Sequence, residues 1–167
     1  MTEPAGPLAR AVLDVIRRAA AATPGDFALA PPAPQETTVT DRTLRVLVTG
    51  SRTWSDEHLI RRELARVWTD HGGPMVVVHG ACAAGADHHA AQWVADMNAA
   101  GYAGVTGEPH AANWDAHGRA AGPIRNRLMV ESGAGLCLAF IHCGSRGASH
   151  CAELAEKAGI VTRRWTT

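Results

Sequence analysis

Three short segments are built from residue types that cradle anions: Gly50-Ser51-Arg52-Thr53-Trp54, Gly80-Ala81-Cys82-Ala83-Ala84-Gly85-Ala86-Asp87 and His142-Cys143-Gly144-Ser145-Arg146-Gly147-Ala148-Ser149. Glycine and serine let a phosphate approach the main chain, and where such a segment runs into a helix the exposed N–H groups and the helix dipole make an anion site. Arg52 and Arg146 lie inside two of these segments, and Arg125 lies in Ala121-Gly122-Pro123-Ile124-Arg125-Asn126-Arg127-Leu128-Met129. Arginine grips phosphate or carboxylate with a planar fork of donors. Each feature has a plainer reading: tight turns between strand and helix use glycine anyway, and an arginine on a helix is ordinarily solvated. Three such turns at one edge of a sheet favour phosphate chemistry.

Other chemistries are poorly supported. GxxxxGK[ST] and GxGxxG are both absent, so ordinary ATPase and dehydrogenase readings fall. Cys82 sits where a nucleophile elbow would place a thiol, but GxCxG spacing and an assignable base are missing. His142-Cys143 and His150-Cys151 suggest zinc only superficially, because adjacent side chains diverge on a strand or helix and tetrahedral sites use ligands two to four residues apart. No metal and no cofactor is expected. His88-His89 reads as polar groups of a surface or crevice, and Cys137 as a small buried hydrophobe in a reduced protein.

The elements that must position these residues begin near residue 44. Leu44 to Thr49, Pro74 to His79, Val105 to His110, Leu136 to Ile141 and Ile160 to Trp165 read as strands from their β-branched apolar runs. Ser55 to His71, Ala86 to Ala100, Gly118 to Glu131 and Ser149 to Ala158 read as helices, with Ser55 an N-cap, Asp56 and Glu57 in the first turn, and Gly101 a terminator. In the third helix Pro123 suits the first turn, Ile124, Leu128 and Met129 are expected to face the core, and Arg125 with Asn126 falls off that stripe. The order βαβαβαβαβ with right-handed crossovers predicts an α/β, Rossmann-like doubly wound parallel sheet of about five strands, ordered 3-2-1-4-5. Ligands of such sheets lie beyond the carboxyl ends of the strands. That is where all three glycine-rich segments fall.

Residues 1 to 43 have a different texture. Residues 8 to 22 place Leu8, Val12, Val15 and Ile16 at helical spacing, and residues 23 to 43, with Pro24-Gly25 and Pro31-Pro32-Ala33-Pro34, read as an extended linker. A flexible arm and a helix docked on the main domain or on a neighbouring subunit both fit. The main domain is expected to span 44 to 167.

The chain carries 16 Lys+Arg against 16 Asp+Glu in 167 residues, with Lys157 the only lysine. A neutral protein is not held on nucleic acid or a membrane by overall electrostatics, so both partners are disfavoured. A 46% hydrophobic fraction against 19% charged residues supports a packed core. No run approaches the roughly 18 apolar residues of a membrane span, and no signal peptide is evident, so a cytoplasmic location is expected. Abundant alanine and arginine with scarce lysine suggest a high-GC bacterium, such as an actinobacterium, or a phage of such a host.

Taken together, VLVTGSRTW, VVHGACAAGADHHAAQW, PHAANWDAHGRAAGPIRNRLM and LAFIHCGSRGASHCAELAEKAGI resemble, in order, the YspA/YpsA-related branch of the SLOG superfamily over about residues 44 to 165. The resemblance implies a nucleotide or nucleotide-derived ligand, such as a nucleoside phosphate or an ADP-ribose-type molecule, lying across the strand ends. It implies Gly50, Ser51 and Arg52 on one side, His79, Gly80, Gly85, Ala86 and Asp87 in the middle, and Trp114 and Gly118 on a flank. Arg125, Asn126, Gly144, Ser145, Arg146, Gly147 and Ala148, with Ser149, would make the phosphate end, and Trp54 or Trp114 would stack on a base. Relatives of this kind also self-associate, so a homodimer or larger homo-oligomer is expected.

The related LOG phosphoribohydrolases carry a PGGxGTxxE loop whose glutamate assists cleavage of an N-glycosidic bond. Here Cys151 stands at the glutamate position, and the nearest acid, Glu153, is two residues on and rotated about 200° around a helix. A ligand-binding or sensing protein is therefore the first reading. An N-glycosidase acting on nucleoside monophosphates or ADP-ribose derivatives is the second, with Arg125 and Asp87 the candidates for its catalysis. DprA-like binding of single-stranded nucleic acid is the third.

Overall fold

The computed structural model describes residues 43–102 and 104–167; the arm and linker read from residues up to 42 lie outside them. Five strands form one parallel sheet: β1 (Leu44–Gly50), β2 (Met75–His79), β3 (Val105–Pro109), β4 (Leu136–Ile141) and β5 (Val161–Thr166). Their order is β3-β2-β1-β4-β5, as the crossover rule predicts. The helices are α1 (Glu57–His71), α2 (Ala86–Ala99), the single turn α3 (Trp114–His117), α4 (Ala121–Glu131) and α5 (Arg146–Lys157), with a 3-10 turn at Gly118–Ala120.

Alternation along the strands builds two cores. Val46, Val48, Leu138 and Phe140 face Ile60 and Leu64 of α1 and Trp93 of α2. Leu47, Cys137, Ala139 and Ile141 face Met129 of α4 and Cys151, Ala152 and Ala155 of α5. The central strands are thus apolar on both faces, which is why they read as continuous hydrophobic runs. Truncating fully buried Phe140 to alanine should cost about 3–5 kcal/mol. The edges differ: most of the β5 residues are exposed, and β3 carries Gly107 and Pro109 where only one neighbour needs its hydrogen bonds.

Three expected boundaries move, each for a local reason. Asp56, not Ser55, caps α1: its carboxylate accepts from Leu59 N–H at 2.9 Å, while its carbonyl accepts from the Trp54 indole at 3.0 Å. The helix expected from Gly118 is interrupted, because Gly118 takes φ 48°, ψ −129° after α3 and the chain passes through the 3-10 turn before α4 begins. α5 starts at Arg146, three residues before the expected Ser149, with Ser145 at its N-cap.

The face of α4 is also corrected. Ile124 and Leu128 are 38% and 51% exposed, whereas Ala121, Asn126, Met129 and Val130 are buried. The small residues of α5 allow a close approach of the two helices, and the Asn126 amide donates to Gly147 O at 3.0 Å. A polar side chain whose hydrogen bonds are met can occupy the buried stripe, and this rotates Ile124 and Leu128 outward.

Candidate functional site

A crevice of about 710 Å³ opens beyond the carboxyl ends of β1 and β4, within the size range of small-molecule sites. Close approach of the main chain makes it. A Cβ on Gly50 would collide with Ala86 and sit 2.7 Å from Phe140 O, so glycine there lets β1 run directly beneath the start of α2. Gly85, at φ +71°, similarly leaves no room for a side chain against Ser51 O. The Ser51 hydroxyl accepts from His142 N–H at 2.8 Å and donates to His142 O at 3.3 Å, stitching the loop after β1 to the loop after β4.

The β4 side of the crevice is a helix N-terminus. Ser145 makes no side-chain cap, and Gly147 has open space where a Cβ would stand. The Ser149 N–H is the first to bond back, to Ser145 O, so the N–H groups of Arg146, Gly147 and Ala148 precede the first helical hydrogen bond. Two non-glycine residues in the glycine-rich loops, Ala81 (φ 53°) and Cys143 (φ 48°), hold left-handed conformations, a local strain of the kind found in ligand-binding loops.

Arg125 enters from α4 with its side chain 13% exposed. Nη1 donates to Gly80 O, Nε donates to Asn126 Oδ1 at 3.0 Å, and Nη1 lies 3.8 Å from Asp87 Oδ2. Among the described residues Nη2 has no partner, so a buried guanidinium presents free donors to the crevice. Gly80 is required for this arrangement: a side chain there would overlap the Arg125 guanidinium and come within 2.7 Å of Asp87 Oδ2. Arg52 and Arg146 line the same space, Arg52 with its guanidinium carbon 5.6 Å from the Trp114 ring centroid.

Asp87, in the first turn of α2, is the one carboxylate lining the crevice among the described residues. Burial pushes its carboxyl up, opposed by the Cys82 thiol, Arg125, His79 and the Gly80 amide. His79 is buried below it. Its Nδ1 accepts from Ala81 N–H at 3.3 Å, which places the proton on Nε2, and burial pushes its pKa down.

The crevice gathers Gly50, Ser51, Arg52, Asp87, Trp114, Arg125, Asn126, Ser145, Arg146, Gly147 and Ala148 from the expected set. Gly80 borders an adjoining recess of about 330 Å³. Seven others are not lining residues. His79, Gly85 and Ala86 are buried, and Gly118, Gly144 and Ser149 are absent from the crevice lining. Trp54 is a correction: it is 4% exposed and packs on Phe140 at 5.4 Å, so it is unavailable to stack on a ligand. A Trp beside a strand end has too much apolar surface to leave uncovered when a core lies within reach.

Thr49, Thr53, Gly122, Pro123, Met129 and His150 line the crevice without having been singled out as ligand contacts; their only signal was adjacency to the expected positions. Cys82 also lines it, donating weakly to Gly80 O at 3.8 Å. Cys151 lies in the core under α5, and burial pushes its thiol up to about 11. Of the two His-Cys pairs only the second diverges, His150 turning to the crevice and Cys151 to the core; His142 and Cys143 converge, with Cys143 Sγ 3.2 Å from His142 Nε2, while His142 Nδ1 lies 2.9 Å from Thr167 Oγ1.

A doubly wound parallel sheet with a strand-end crevice defines a Rossmann-like α/β protein, here with a bare helix N-terminus and converging arginines at the crevice. Residues 44–117 match the YspA, cpYpsA-related SLOG family. Over 116 residues, 70% of this chain and 91% of the other, the sequence is 46% identical to the Gene 61 protein of Mycobacterium phage D29. The chain belongs to this SLOG family. No solved structure matches it. Among the described residues, no helix is long and apolar enough to cross a membrane.

Proposed function

We propose that the crevice binds a nucleotide or nucleotide-derived ligand, a nucleoside phosphate or an ADP-ribose-type molecule, and that the protein acts as a sensor or ligand-binding protein. One observation carries this reading: the uncapped N-terminus of α5, the free Nη2 of Arg125 and the exposed guanidinium groups of Arg52 and Arg146 all border one crevice, with Trp114 half exposed at its rim. Main-chain N–H groups and arginine forks suit phosphate oxygens, and an exposed indole suits the face of a base. Calorimetry against a nucleotide panel tests it. Arg125→Ala and Arg146→Ala should each weaken binding at least tenfold, and unchanged affinity in both would end the proposal.

Asp87 favours a second reading, cleavage of an N-glycosidic bond, since it places a carboxylate in the crevice although the glutamate of the LOG loop is replaced by core-facing Cys151. Chromatography for free base after incubation with the same panel decides it, and absence of release from every nucleotide excludes it. Either reading suits a cytoplasmic protein of a bacterium, or of the host cell if phage-encoded. We also propose a homodimer or larger assembly, supported by the exposed Ile124 and Leu128 on α4; light scattering showing a monomer would refute it.

A further inference from the structure

The position of Asp87 relative to the two ends of the crevice bears on which ligands it accepts. The sheet order sets the N-terminus of α5 on the β4 side and Asp87 on the β2 side, at the start of α2. Beyond Asp87, toward β3, lies the adjoining recess, walled by Gly80, Ala81, Cys82, Ala83 and Ala84, closed by Ala111, Ala112 and Trp114, and bordered by Arg52 and Arg125, which also line the crevice. Away from those two shared arginines its walls are small and largely apolar, Cys82 and the Trp114 indole being the other polar-capable side chains. The α5 end offers donors. A phosphate held at the donors and a base lodged in the recess or against Trp114 leave the intervening sugar beside Asp87.

Asp87 is suited to a sugar. It is 4% exposed, yet its carboxylate lines the crevice; the Cys82 thiol and the Gly80 amide favour its ionised form, and the Arg125 Nη1 that faces it is 3.8 Å away, beyond hydrogen-bond length, so acceptor capacity remains toward the crevice. An ionised carboxylate only accepts hydrogen bonds, so the group it meets must be a donor. The base recess and the phosphate supply none at the middle of the ligand; a vicinal diol supplies two O–H groups. From this juxtaposition we propose that Asp87 accepts the ribose hydroxyls of the ligand and makes the site selective for ribonucleotides over 2′-deoxyribonucleotides. The proposal rests on the nucleotide-binding reading above. A site built to hydrogen-bond a hydroxyl leaves its own buried polar group unpaired when the hydroxyl is missing, and that strongly rejects the deoxy analogue.

Calorimetry on the full chain with AMP, GMP, CMP and UMP, their 2′-deoxy counterparts and inorganic phosphate tests it, in wild type and Asp87→Asn. The tightest ribonucleotide should bind at least tenfold more tightly than its deoxy form in wild type. Asp87→Asn should bring the two within about twofold by weakening the ribonucleotide, while inorganic phosphate binds as before. Equal affinity for a ribonucleotide and its deoxy form in wild type overturns the proposal and leaves nucleotide binding standing; this comparison needs no variant. Discrimination that persists in Asp87→Asn also overturns it, as does loss of inorganic phosphate together with both nucleotides, which would make Asp87 a support of the fold. If no nucleotide binds wild type, the nucleotide reading falls and this proposal with it.

Discussion

Asn126 ties the two halves of the crevice together, and its removal has a cost that follows from its bonds. The side chain is 5% exposed; Nδ2 donates to Gly147 O at 3.0 Å in α5, and Oδ1 accepts from Arg125 Nε at 3.0 Å. Asn126→Ala deletes both. A neutral hydrogen bond contributes about 0.5–1.5 kcal/mol and one to a charged group about 1.5–3 kcal/mol. Water in the crevice can reach Gly147 O and part of the Arg125 guanidinium, so the lower ends of those ranges apply and the loss should be about 2 kcal/mol. For a domain of this size that lowers the melting temperature by roughly 6–10 °C. Urea denaturation should show a lower midpoint at an unchanged slope, the signature of lost stability without a changed unfolded state. A cycle with Arg125→Ala should return a coupling of at least about 0.5 kcal/mol, since the two residues share one bond. A loss below about 0.5 kcal/mol for Asn126→Ala, or no coupling to Arg125, would refute the account of how α4 is held against α5.

Gly80→Ala places a methyl group in the space of the Arg125 guanidinium; Gly80 is not among the positive-φ residues, so the variant should fold, displace Arg125 and weaken nucleotide binding at least tenfold, and unchanged affinity in calorimetry would contradict this. Glu108 is held down to about 2 by Arg45, whose guanidinium donates to both of its oxygens at 2.8 Å, and by His110. Its folded value lies below its unfolded one of 4.5, so its stabilisation is present above about pH 4.5 and lost as pH falls toward about 2. Partial exposure of both partners limits this to about 1 kcal/mol. Urea midpoints taken from pH 6 to pH 3 should fall less steeply in Glu108→Gln than in wild type. Burial pushes the thiols of Cys137 and Cys151 up to about 12 and about 11, while Cys143 is exposed. Alkylation of the native protein at pH 8 followed by peptide mass spectrometry should label Cys143 and spare Cys137 and Cys151.

The strands of the sheet were legible because burial on both faces leaves little choice of residue: the runs Leu44 to Thr49 and Leu136 to Ile141 contain no polar interruption except Arg45 near an end and Thr49 at the other. The glycine-rich segments after β1 and β2 were legible as crevice loops for a related reason, since close contact with main chain at Gly50 and Gly85, and with the Arg125 and Asp87 side chains at Gly80, leaves a mark in the residue type. Trp54 and α4 were misjudged where one residue type fits two environments. An indole serves a core as well as a base, and Ile124 with Leu128 outweighs Asn126 in any hydrophobic pattern although Asn126 is the one buried.

The amino-acid sequence by itself determined the order of elements, the sheet topology and the edge at which the chemistry gathers, because periodicity and crossover handedness act locally and have few solutions. Tertiary structure alone decided that Asn126 turns inward to join Arg125 to Gly147, that Cys151 faces the core, and that Arg125 and Asp87 meet over Gly80. Those outcomes depend on contacts between residues about 20 to 45 positions apart, whose energies are set by helix rotation and burial and have no counterpart in the pattern of any single segment.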